Sequence, residues 1–131
     1  VQQAAKLAPA GIKIQLAQWT IKTMVQAAKI SNYVIIPSAK DDPRKSGVSP
    51  GRLLTSLALG LPVIAEPLHS YLPFSEFFTF INTEAAVELS KNPDSKYESI
   101  LEGQKLISEK YTVAKIQKEW IKVIEEFKDT Y

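Results

Sequence analysis

The chain has 131 residues, a length that fits one domain rather than two, and it can bury about two-thirds of its unfolded surface without help from disulfides or metals. Hydrophobic residues make up 45%, charged residues 23% and the mean hydropathy is -0.08, which marks an ordinary globular chain. A net charge of +2 gives no argument for nucleic acid or a membrane surface, and the absence of cysteine excludes a disulfide framework and a thiolate metal site.

The charge is uneven: residues 1–52 hold eight Lys/Arg against two Asp, and residues 83–131 hold eight Lys against ten acids. No run of 18 apolar residues occurs, so no transmembrane segment is expected. The lack of cysteine agrees with a reducing compartment, and the expected location is cytoplasmic. The opening residues, Val1 to Ala8, read as the last two turns of a helix whose preceding strand is missing. The expectation is therefore a single domain over residues 1–131, the C-terminal part of a longer two-domain protein.

Along the chain, Gly11 to Ala17 alternates Ile12, Ile14 and Leu16 with Lys13 and Gln15, the pattern of an extended strand. Thr20 reads as an N-cap, with Ile21, Met24, Val25 and Ala28 following at helical spacing and Ser31-Asn32 ending the helix. Tyr33-Val34-Ile35-Ile36-Pro37 is a short, almost wholly apolar run, the pattern of a strand covered on both faces. After an eleven-residue polar loop from Ser38 to Val48, a second helix is framed by Ser49 as N-cap, Pro50 at N1 and Gly60 at C′. Val48 and Leu53 are spaced to pack across its start. Pro62 to Ala65 and Phe78 to Ile81 read as further strands, and two helices close the chain. The last presents Val113, Ile116, Trp120, Ile124 and Phe127 on one face, a stripe that predicts helix packing. Alternating strands and helices predict an α/β fold, a Rossmann-like three-layer sandwich with a mainly parallel sheet and C-terminal helices.

Ligands of open parallel sheets bind beyond the carboxyl ends of the strands, which directs attention to the loop after Ile36. Lys40, Arg44, Lys45 and Arg52 place four cations within thirteen residues, and the loop runs into a helix N-terminus, whose amides and dipole favour an anion. Gly47 and Gly51 offer close backbone approach. This pattern points to a phosphate or diphosphate; a solvated loop before a capped helix accounts for the same residues. The loop matches neither the Walker A sequence nor the G-x-G-x-x-G fingerprint. The loop after the Val63-Ile64 strand adds Glu66, His69, Ser70 and Tyr71. His69 is the single histidine, so no histidine pair exists to hold a metal. Tyr71 is placed either to stack on a base or to cover Phe74. Asp41 and Asp42 read as charge partners of the loop cations rather than as a catalytic pair.

The stretch Tyr33 to Ser38, followed by Ser49-Pro50-Gly51-Arg52 and by Ala58-Leu59-Gly60-Leu61-Pro62-Val63-Ile64, resembles the C-terminal, donor-binding domain of GT-B glycosyltransferases. The helix after Trp19-Thr20 and the terminal helix carrying Trp120 are similar too, so the resemblance spans roughly residues 11–125. The Gly-x-Pro-Val turn is its most distinctive part. Many retaining members have a Glu-x7-Glu pair; the matching positions here hold Gly47 and Thr55, so the resemblance is to a divergent branch. It implies that the partner is a nucleotide diphosphate sugar donor and that the acceptor side lies on an N-terminal domain of the same polypeptide. No further cofactor is implied. Arg52 would stabilise the leaving phosphate, with the amides of Gly51 and Arg52 beside it. Ser38, Lys40, Arg44, Lys45, Ser49, Gly51, Thr55, Glu66, His69, Ser70 and Tyr71 would line the donor. The competing readings are a noncatalytic nucleotide- or phosphate-binding module and an α/β protein-interaction domain.

Overall fold

A computed structural model describes residues 10–39, 41–45 and 47–130. The proposed helix end at Val1 to Ala8 lies outside the described residues, as does Lys40. The chain divides into two compact units, Val1–Ile30 and Ser31–Tyr131.

In the first unit, helix α1 spans Ile21–Ile30. Thr20 caps it as expected: its Oγ1 accepts the Thr23 amide at 3.0 Å, and the Thr23 Oγ1 accepts the Thr20 amide at 2.9 Å. This is a reciprocal capping box, with Thr23 in the role usually taken by Glu or Gln. The strand expected over Gly11 to Ala17 is absent, since residues 12–19 adopt no regular structure and Ile12, Ile14 and Leu16 are exposed. Alternation supplies the propensity for a strand, but a ladder partner must supply its hydrogen bonds.

The second unit holds strand β1 (Val34–Ile36), helix α2 (Gly51–Ala58), strand β2 (Val63–Ala65), strand β3 (Thr79–Phe80) and helices α3 (Glu84–Lys91), α4 (Tyr97–Lys110) and α5 (Val113–Thr130). Short 3-10 segments occupy Pro43–Lys45, His69–Phe77 and Pro93–Lys96. The sheet runs β1-β2-β3 with both pairings parallel, as the strand–helix alternation predicts, with Ile36 opposite Ala65 and Ala65 opposite Phe80. Three helices, not two, follow β3, because Pro93 interrupts the helical pattern and a 3-10 turn joins the two pieces.

Strand β2 is buried along its whole length, and its residues divide between two clusters. Val63 and Ala65 pack with Leu53 and Leu57 of α2 and with Tyr71, Phe74 and Phe77 of the 3-10 segment. Ile64 turns the other way, onto Ala86 and Leu89 of α3. Strand β1 differs from the sequence reading: Ile35 is 52% exposed, so the face it shares with Ile64 is uncovered at β1. Helix α4 closes on the first cluster at Gly103, where a Cβ would sit 3.3 Å from the Phe77 ring.

Helix α5 also departs from expectation. Val113, Ile116, Trp120, Ile121, Val123 and Ile124 are all exposed, Trp120 by 64%. The Phe127 side chain lies outside the described residues. A helical stripe reports amphipathic design, but burial depends on a facing element, which no periodicity encodes.

Candidate functional site

The two ends of α2 are built differently. Its C-terminus is a Schellman motif: the Gly60 amide donates to Leu57 O at 2.9 Å and the Leu61 amide to Ser56 O at 3.2 Å. Gly60 has φ +78°, which explains the glycine predicted at C′. Gln104 of α4 donates to Ala58 O at 3.1 Å and ties the same end down.

At the other end the cap is displaced by one residue from its expected position. The first rung of the helix is Leu54 N to Pro50 O, so Pro50 is the N-cap and Ser49 precedes it. Ser49 Oγ still accepts the Gly51 amide at 3.2 Å. The Gly51 amide, expected to face a phosphate, is therefore engaged, whereas the Arg52 and Leu53 amides precede the first rung. Val48 packs against the cluster containing Leu53, as the staple spacing predicts. Among the described residues nothing crowds a Cβ at Gly47, and at Gly51 one would meet Ser49 Oγ at 3.5 Å, an ordinary contact.

Arg52 and Thr55 are exposed on the first turns of α2, and the Arg52 carbonyl accepts Ser56 Oγ at 2.9 Å. The Lys45 side chain lies outside the described residues. Arg44 is not a free cation. Its Nε donates to both carboxylate oxygens of Asp42, at 3.0 and 3.2 Å, and its Nη2 reaches Oδ2 at 2.8 Å. Its backbone amide also donates to Asp42 Oδ1 at 3.0 Å. The hydrogen bond to Asp42 pushes the Arg44 pKa further up. Asp42 is thus the charge partner that the sequence suggests.

The loops leaving β1 and β2 lie side by side at the carboxyl end of the sheet, joined by Glu66 N to Ile36 O at 3.3 Å. Ser38 follows β1; Glu66 and the segment beginning at His69 follow β2. His69 is exposed and Glu66 half-buried. Three hydroxyls on these two loops, Ser38 Oγ, Ser70 Oγ and Tyr71 OH, are buried without a hydrogen-bond partner among the described residues. Buried hydroxyls are nearly always bonded, so Ser38 and Ser70 set this rim apart, whereas the Tyr71 hydroxyl lies within the core. Tyr71 is 0% exposed and meets Phe78 edge-on at 6.1 Å, so its ring has no face for a base. Burial leaves no face for stacking, and Tyr71 and Phe74 belong to the same core cluster.

Among the described residues no three His, Cys, Asp or Glu side chains gather as a metal-binding group, and no helix is long and apolar enough to cross a membrane. Sequence reading does not single out Gln104 or Gly103, which hold α2 and α4 in place; an amide and a glycine inside a helix carry no local signal for such contacts.

Comparison of the chain with protein-family models, with curated proteins and with solved structures found no match.

Proposed function

We propose that the chain is the donor-binding half of a glycosyltransferase of GT-B type, a Rossmann-like three-layer sandwich that takes a nucleoside diphosphate sugar at the carboxyl rim of its sheet. The observation that carries this reading is the pair of partnerless hydroxyls on Ser38 and Ser70, on the loops leaving two adjacent parallel strands. One of those loops leads into the start of α2. Parallel sheets bind ligands at this end, and a hydroxyl-rich ligand supplies the partners such groups lack.

Transfer of a sugar leaves negative charge on the departing diphosphate. In this reading the exposed Arg52 guanidinium and the amides that precede the first rung of α2 stabilise that charge. Arg52 is the proposed catalytic residue; Ser49 shapes the helix start through Gly51. Thr55, one turn on, is placed for a ribose hydroxyl, and Glu66 and His69 line the neighbouring loop. The acceptor and its general base belong to an N-terminal domain. A noncatalytic phosphate-binding module is the second reading, favoured by Gly47 and Thr55 standing where the family carries two acids.

Calorimetric titration of the chain with a panel of nucleoside diphosphate sugars tests the proposal. Binding of one member, weakened about tenfold or more by Arg52→Ala, is expected for loss of a charge-assisted hydrogen bond. Absence of binding by every member at millimolar concentration would overturn it. Turnover by the full-length protein, lost with Arg52→Ala, separates the enzyme from the binding module.

A further inference from the structure

We propose that Asp42 is a built-in competitor at the anion site: it occupies Arg44 in the free protein and yields the guanidinium to an arriving diphosphate. The inference rests on the phosphate-binding reading above and adds a specificity-determining residue to it.

Four donor contacts from Arg44 converge on this single carboxylate, three from the guanidinium and one from the backbone amide. The pair is asymmetric in exposure: the Arg44 side chain is 88% exposed and that of Asp42 only 18%. The Asp42 backbone is anchored by its own amide, which donates to Ala39 O at 3.2 Å, and its mostly buried carboxylate is held by the Arg44 amide as well. The carboxylate is therefore the fixed member and the guanidinium the one able to move. Phosphate and carboxylate engage the same planar fork, so they compete for one edge of Arg44. An exposed ion pair is weakly held, and a diphosphate carries more charge than the carboxylate it replaces. Once released, Arg44 can turn its fork to the ligand while its backbone amide keeps Asp42 in place. Weak monoanions do not displace the carboxylate, so Asp42 tunes the loop toward multiply charged phosphates.

Calorimetry with inorganic pyrophosphate at low salt tests this in the wild-type chain, Arg52→Ala, Asp42→Asn, Arg44→Ala and the Asp42→Asn/Arg44→Ala double variant. The amide introduced by Asp42→Asn keeps an oxygen for the Arg44 backbone N–H, so the loop turn is retained. Asp42→Asn is expected to bind about threefold more tightly, the size of one exposed ion pair, and the double variant to lose that gain. Unchanged or weaker binding by Asp42→Asn, with Arg52→Ala still impaired, would overturn the competitor and leave the anion site standing. No binding by any of the proteins would overturn the anion site and the competitor together.

Discussion

Tyr71 brings a phenol into the main core, its ring packed among Leu53, Leu68 and Phe78 and its hydroxyl without a partner. An unsatisfied buried hydroxyl costs about 1–3 kcal/mol, so Tyr71→Phe should leave the ligand-free chain as stable or up to about 1 kcal/mol more stable in urea unfolding. A loss of stability would show that the hydroxyl is bonded. Gly60 makes the opposite case: with φ +78°, Gly60→Ala places a Cβ in the left-handed region and should lower stability by about 1–2 kcal/mol. The two differ in legibility for a physical reason. The demand for glycine at Gly60 arises within a few residues of chain, where Ser56 and Leu57 carbonyls need closing donors. Tyr71 is buried by residues from three other segments, which its neighbours in sequence cannot announce.

Among the elements, α2 and β2 are legible almost to the residue, because caps, a left-handed glycine and an uninterrupted apolar run all agree locally. The segment from Gly11 to Ala17 and the stripe of α5 mislead in the same way. Each shows a regular period in sequence, yet their apolar side chains are exposed and the first forms no strand, since periodicity fixes which residues would share a face and not what that face meets. Exposure gives a direct consequence. Trp120→Ala should change the stability of the chain by less than about 0.5 kcal/mol, whereas Leu53→Ala, at a fully buried position in α2, should cost about 2–5 kcal/mol. Parallel denaturation curves of the two variants check the contrast. A large loss from Trp120→Ala would mean that the α5 face is covered in solution.

At the scale of the whole molecule, the parallel sheet places Ser38, Ser70 and the approach to α2 at one rim, and this placement follows from the strand–helix alternation visible in the sequence. The loop chemistry is only partly visible there. Four cations between Lys40 and Arg52 suggest a broad positive surface, but the structure assigns Arg44 to Asp42 and leaves Arg52 as an exposed cation on the first turn of α2. Binding that depends on an exposed guanidinium should weaken as salt is raised, so a titration repeated at about 0.05 and 0.5 M ionic strength should show a clear fall in affinity. Salt-independent binding would place the ligand on apolar or neutral groups instead.

The most direct measurement is amide chemical-shift mapping by NMR while a nucleoside diphosphate sugar is added to the isotope-labelled chain. The largest changes are expected on Ser38, Gly51, Arg52 and the Glu66–Tyr71 loop, with α5 silent. Changes centred on α5 or α3, with the rim amides unmoved, would contradict the proposed site.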